Sequence, residues 1–302
     1  MHQNKNQNKN KQHDPVLLKE VLECLSPKKG DTFLDLTAGY GGHSSAVLDR
    51  TGSLINSVLI DRDKEAGKQL KKLYGNTVSY MNEDFYSAST KLANKKRQFD
   101  LILADLGVSS PHLNEGKRGF SINFNGPLDM RMDQTQQLTA ADVVNGYSEA
   151  DLVKILRDYG QEPKAHKIAR LIMSARPINT TDQLATIAKK AWPGKSRLHP
   201  ATRTFQAIRI AVNNELWLLE SSLPIWIDLL SPGGRIAIIS FHSLEDRIVK
   251  KALKDASSSK YEAELTLLTK KPITPNPHEI ANNPRARSAK LRAAVKIKKK
   301  GN

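Results

Sequence analysis

The chain has 302 residues and carries 47 Lys+Arg against 31 Asp+Glu, a formal charge of +16. That length supplies one large or two ordinary cores, and a positive excess of this size points to a polyanionic partner without requiring an acidic small substrate, the alternative being charge that only serves solubility. A single cysteine, Cys24, excludes an intrachain disulfide framework or a cysteine metal cluster.

No run approaches the ~18 apolar residues of a membrane span, and no apolar signal core opens the chain, so the expectation is a cytoplasmic protein that contacts no membrane. Residues 1–12 are almost all Asn, Gln and Lys, a composition that buries too little surface to offset ordering entropy, and they are expected to form a disordered tail. Apolar residues at helical spacing predict a helix over 16–25, stopped by Pro27. A strand over 32–36 then runs into Gly39-Tyr40-Gly41-Gly42-His43 and a helix to about Arg50. A glycine turn between strand and helix lets backbone N–H groups approach a nucleotide-like ligand. Its spacing is not the three-glycine dinucleotide pattern.

The alternation continues with a strand over 57–60, a lysine-rich helix over 63–73 and a strand over 77–81. The second strand ends in Asp61, near the distance at which nucleotide folds place a ribose-gripping acid. Strand, helix, strand in succession predicts a parallel sheet with right-handed crossovers. At the third strand's end, Asn82-Glu83-Asp84-Phe85 offers an acid and an aromatic that would cover an adenine, or an ordinary strand end with a core Phe. The fourth strand, 99–105, ends in Asp105 and releases Leu106-Gly107-Val108-Ser109-Ser110-Pro111-His112. An acid there points into the crevice where parallel sheets do their chemistry.

Roughly a hundred residues then interrupt the alternation. A loop-like stretch over 113–137 holds Arg118, Asp129 and Arg131, and helices follow, with capping pairs at Ser148/Asp151 and Thr180/Gln183. One two-faced helix is expected over 201–219, its polar face bearing Arg203, Gln206, Asn213 and Asn214 behind His199-Pro200. The sheet resumes after Pro232-Gly233-Gly234 with a strand over 236–240, ending in Phe241-His242-Ser243, where Ser243 is expected to cap the next helix. Strand-like runs at 262–268 and 289–297 flank a proline-rich loop, and Lys298-Lys299-Lys300 close the chain as a loose phosphate contact. The domain division expected is a tail at 1–12, a sheet domain from 13–112 and 220–297, an inserted helical substrate domain at 113–219, and a basic tail at 298–302.

Chemically, the glycine turn, the two strand-end acids and the basic insertion fit a nucleotide-bearing cofactor used on a nucleic acid. A nicotinamide dehydrogenase shares the first two features. Gly194-Lys195-Ser196 has Lys189 where a phosphate loop needs its leading glycine, and the eight histidines show no metal-ligand spacing, so no metal is expected.

The longer motifs resemble one family. Asp105-Leu106-Gly107-Val108-Ser109-Ser110-Pro111, Arg118-Gly119-Phe120-Ser121, Gly126-Pro127-Leu128-Asp129-Met130-Arg131-Met132, His199-Pro200-Ala201-Thr202-Arg203-Thr204-Phe205-Gln206, Ser240-Phe241-His242-Ser243-Leu244-Glu245-Asp246-Arg247 and Asn283-Pro284-Arg285-Ala286-Arg287-Ser288, with the glycine stretch, resemble the RsmH (MraW) family. The resemblance runs from about His13 to about Ala294. It implies an α/β, Rossmann-like S-adenosylmethionine-dependent methyltransferase sheet with an inserted helical domain. It also implies methylation of the N4 amino group of a cytidine in the decoding region of 16S rRNA in the small ribosomal subunit.

By the same resemblance, S-adenosylmethionine would contact Gly41, Gly42, His43, Asp61, Phe85, Asp105 and His112. His112 stands where relatives often carry Gln. Asp105 and Ser110 are the catalytic candidates. Arg118, Arg131, His199, Arg203, Phe241 and His242 are the substrate-binding candidates, with Phe241 or His242 stacking on an extruded cytosine. Competing expectations are a DNA amino-methyltransferase and a non-catalytic ribosome-assembly RNA binder.

Overall fold

The computed structural model of the chain describes residues 15–108, 115–194, 199–258 and 263–297. Ser110, His112 and the expected tails at both ends lie outside the described residues. Among the described residues, seven strands form one sheet in the order β3-β2-β1-β4-β5-β7-β6. They are β1 (Phe33–Asp35), β2 (Val58–Ile60), β3 (Ser79–Met81), β4 (Phe99–Asp105), β5 (Leu230–Ser240), β6 (Leu265–Leu267) and β7 (Lys290–Lys296). β1 to β5 are parallel, and β7 runs antiparallel between β5 and β6. The strand order therefore reverses between β1 and β4, the switch point at which such sheets open a crevice at the strands' carboxyl ends.

Residues 101–104 of β4 form an apolar run because both sheet faces are covered. Leu101 and Leu103 pack on one side with α1 (Leu18–Leu25), α2 (Gly42–Thr51) and α3 (Lys64–Tyr74), through Val21, Leu25, Val47, Leu48 and Leu70. Ile102 and Ala104 pack on the other with α4 (Phe85–Asn94), through Ala88 and Leu92. The sequence names no helix between the third and fourth strands. α4 exists there because Asp84 caps it, accepting the N–H groups of Tyr86 and Ser87 at 2.9 Å each.

Among the described residues, five helices lie between β4 and Asn214: α5 (Ala140–Gly146), α6 (Glu149–Asp158), α7 (Ala165–Ala175), α8 (Thr181–Ala191) and α9 (Thr202–Asn213). They enclose their own core, including Val143, Leu152, Ile168, Ile172, Leu184 and Ile208. The expected continuous helix over 201–219 is two helices. Asn214 adopts φ 50°, ψ 36°, a left-handed conformation that asparagine tolerates better than most residues, and α10 (Glu215–Asp228) departs in a new direction. α10 returns to the sheet, where Leu219, Leu223 and Trp226 join the core shared with α4 and α11 (Ser243–Ser257).

β5 also begins earlier than expected. The pairing with β4 shifts register between Phe99 and Leu101, and that irregularity takes up Pro232-Gly233-Gly234 within the strand. A short helix, α12 (Pro277–Asn282), and a 3-10 turn (Pro284–Ser288) fill the proline-rich loop before β7.

Candidate functional site

The carboxyl ends of β1, β2 and β4 meet at the switch point. From β1 the chain turns through Gly39 and Gly41, with φ of 52° and 87°, values an L side chain rarely adopts. Among the described residues no side chain caps α2. Its first N–H groups are left for an acceptor outside the helix, the arrangement that suits anionic or carboxylate groups. Gly42 answers a different need: a Cβ there would lie 2.7 Å from Pro15 Cγ, so the segment entering α1 rests on the turn.

Asp61, the residue after β2, holds this turn in place. Its Oδ2 accepts the Gly39 N–H at 2.8 Å and its Oδ1 the Asp63 N–H at 2.8 Å. An ionised carboxylate offers about four lone-pair sites, the acceptor chemistry that suits a vicinal diol. Phe85 opens α4, half-buried, its ring meeting Trp226 edge-on with centroids 5.4 Å apart.

Asp105 ends β4, and its N–H donates to Thr37 Oγ1 at 2.6 Å, joining the ends of β1 and β4. The side chain is three-quarters buried. Oδ2 lies 3.5 Å from His43 Nδ1, and Oδ1 is buried with no hydrogen-bond partner among the described residues. Burial, and then the negative charge of Glu245, push Asp105 up to about 7. Beneath it, burial pushes Asp35 up to about 6, against bonds from Ser44 Oγ at 2.6 Å and the Thr37 N–H at 3.1 Å.

His43 is buried, and burial holds its imidazole below the ordinary histidine value. Its Nε2 bonds to the Val16 carbonyl at 2.9 Å. The ring faces Val16 and Asp105, and the backbone N–H of His43 lies in the first turn of α2.

The structure divides the substrate candidates. Arg118 is buried, donating to the Arg131 and Met132 carbonyls at 3.1 Å each and lying 3.4 Å from Asp63. Arg131 grips Asp129 with Nε at 2.9 Å and Nη2 at 2.8 Å, and donates to the Gln136 carbonyl at 2.7 Å. Both arginines hold the loop after β4 instead of presenting free guanidinium groups. His199 and Arg203 are exposed at the start of α9.

The ring of Phe241 lies over Gly107, where a Cβ would come 3.2 Å from Phe241 Cδ2. His242 is corrected: it is the N-cap of α11 in place of the expected Ser243, its Nδ1 accepting the Glu245 N–H at 3.3 Å. Its Nε2 faces Glu245 Oε1 at 3.2 Å and its side chain is only 9% exposed.

Several contributors lack a sequence signal. Glu245 accepts the Phe241 N–H at 2.8 Å and the His242 N–H at 3.3 Å, fixing the end of β5. Burial alone would raise Glu245; the bond and charge of His242 and the charge of Arg209 overcome it and hold the carboxyl below its usual range. Arg209 and Glu215 pair at 2.9 and 2.7 Å across the Asn214 break. Arg62, next to Asp61, reaches the Asn213 carbonyl at 3.4 Å and Met132 Sδ, while Asn213 bonds the Met132 N–H at 2.8 Å and the Met130 carbonyl at 2.7 Å. The crevice is thereby tied to the helical insertion through groups several dozen residues apart, a coupling no local spacing reveals.

The residues present fit a nucleoside carrying a cationic centre. Among the described residues, the amides at the turn carry no side-chain cap and the buried Asp105 Oδ1 has no hydrogen-bond partner, with the Asp61 carboxylate beside them as an acceptor. Among the described residues, one group of metal-capable side chains stands together, Glu215, His242 and Glu245. Arg209 already occupies Glu215 in a two-pronged pair.

Comparison with known proteins places these residues in a wider set. The family model described as the MraW methylase family matches residues 10–297. Proteins named ribosomal RNA small subunit methyltransferase H are similar to the chain along nearly its whole length. The one from Synechocystis sp. is 46% identical, covering 94% of this chain and 93% of its own. That from Trichormus variabilis is 47% identical over 94% and 92%, and that from Halothermothrix orenii 42% over 95% and 99%.

Proposed function

The chain belongs to the MraW methylase family, and from that premise we propose that it methylates the N4 amino group of a cytidine in 16S rRNA of the small ribosomal subunit, with S-adenosylmethionine as donor. The observation that carries this is the acid Asp105, with a buried, unpartnered oxygen, standing against the glycine turn at the sheet's switch point. When bound, the cofactor supplies a methyl group on a sulfonium, whose neutral sulfide leaves readily.

The chain's own residues do the rest. Gly41, Gly42 and His43 supply backbone amides, Asp61 holds the ribose, and Phe85 stands at the adenine side of the crevice. The N4 lone pair of cytosine is delocalised into its ring, so the amine is a weak nucleophile until an acceptor fixes its protons. Asp105 is placed to be that acceptor, and alignment of amine and methyl supplies most of the acceleration.

The helical insertion at 113–219 grips the rRNA, with His199 and Arg203 as its exposed contacts and Phe241 beside the entering base. Arg118 and Arg131 shape this surface from within. The positive excess of the chain draws in the phosphate backbone.

The test offers methyl-labelled cofactor to isolated small subunits and, in parallel, to duplex DNA, followed by nucleoside mass spectrometry. Label is expected in N4-methylcytidine from the subunits alone. Label in DNA would support the competing amino-methyltransferase, and cofactor binding without transfer to either would support an assembly binder.

A further inference from the structure

His43 is buried, lies at a strand-end acid, and makes one bond that fixes its chemistry. Its Nε2 is 2.9 Å from the Val16 carbonyl, a group that only accepts. Nε2 therefore carries the ring hydrogen, and in the neutral imidazole Nδ1 is a lone pair. That lone pair faces Asp105 Oδ2 at 3.5 Å. A carboxylate oxygen and an imine nitrogen in that position repel, whereas one proton between them converts the contact into a hydrogen bond.

We propose that His43 is a positioning residue for methyl transfer, its Nδ1 accepting the hydrogen bond of the proton that Asp105 takes from the cytosine amine. This rests on the functional reading above. N4 forms its bond to the methyl carbon while the carbon–sulfur bond breaks and its electron pair returns to sulfur. The amine, now positively charged, gives one proton to Asp105 Oδ2, and the neutral carboxyl donates that proton to His43 Nδ1. Release of the methylated base is followed by loss of the proton from Asp105 to water through its exposed quarter.

The surroundings favour a shared proton. Around the pair stand Asp35 from β1, Glu245 from α11 and Glu279 from α12, all acidic. Asp35 is occupied by Ser44 and Thr37, Glu245 by the Phe241 and His242 N–H groups, and Glu279 accepts the Leu17 N–H at 2.7 Å. None of them competes for His43 Nδ1, and their charge disfavours a second ionised carboxylate. Val16 and Leu17, anchored by His43 and Glu279, keep the imidazole from flipping.

The test combines spectroscopy of the wild-type protein with two variants. In 15N NMR, Nε2 is expected as the protonated nitrogen and Nδ1 as the imine, with a Nδ1 shift that follows the ionisation of Asp105 and stops doing so in Asp105→Asn. A protonated Nδ1, or a Nδ1 that ignores Asp105, overturns the proposal without any activity being measured. In single-turnover methylation against pH, His43→Phe is expected to lower the plateau rate roughly tenfold or more, part of the range of general-base effects, and to move the rising limb to lower pH.

His43→Asn keeps an acceptor near the Nδ1 position and is expected to retain the wild-type limb. An unchanged limb in His43→Phe, or identical profiles for the two variants, overturns the proposal. Should His43→Phe fail to fold, the NMR result and the His43→Asn profile decide. A wild-type protein that transfers no methyl overturns the functional reading instead, and the substrate-free NMR readout keeps the two failures apart.

Discussion

Asp105 gathers the most chemistry in the fewest atoms, and its cost is measurable in the folded protein. A carboxyl whose folded pKa is raised binds its proton more tightly than in the unfolded chain. Its contribution to stability is full below about 4 and is lost as pH rises through the folded value. For Asp35 that window closes at about 6 and for Asp105 at about 7. The cofactor-free protein is expected to weaken from about pH 4 to about pH 7 as both acids ionise in place. Asp105→Asn removes one of them, so its stability relative to wild type should climb across this window by up to roughly 4 kcal/mol, three pK units, reduced by the water that reaches the side chain. Urea unfolding of both proteins at pH 4.5 and pH 8 checks this; an equal difference at the two pH values contradicts it. Asp105 and Asp61 are legible in sequence because each follows an apolar run at a strand's end. The part played by His43 is not, since it depends on Val16 and Asp105 meeting it from elements 27 and 62 residues away.

At the scale of elements, the sheet is legible because its strands are short apolar runs bounded by glycines and acids, and β4 is covered on both faces. The break between α9 and α10 is not, because the apolar periodicity continues through Asn214 and one left-handed residue redirects the chain. α4 is hidden for a similar reason: Asp84, read as a strand-end acid, spends both oxygens on capping and on Ser87. The Arg209–Glu215 pair stabilises the redirected junction with 16% and 8% of the two side chains exposed. Arg209→Met leaves Glu215 buried without its partner and is expected to cost about 3–5 kcal/mol in denaturant unfolding. Arg209→Met combined with Glu215→Gln removes the stranded charge and should recover most of that loss. A double variant as unstable as the single would show that the pair matters through packing alone.

Across the whole molecule, two kinds of binding share one chain and separate by their response to salt. The charge of +16 acts on phosphates, so affinity for small-subunit rRNA is expected to fall about tenfold or more between about 50 and 200 mM salt. The crevice works through short bonds from the glycine turn, Asp61 and Asp105, so cofactor affinity should change less than about threefold over the same range. Equal salt dependence for both ligands would place the cofactor on the charged surface. The most direct measurement is a calorimetric titration of S-adenosylmethionine into wild-type protein and into Asp61→Ala. One site is expected in the wild type, with affinity at least about tenfold weaker in the variant, since loss of the carboxylate removes both the ribose acceptor and the Gly39 tether. A wild type that does not bind, or a variant that binds as tightly, would contradict a cofactor site at the β1–β4 switch point.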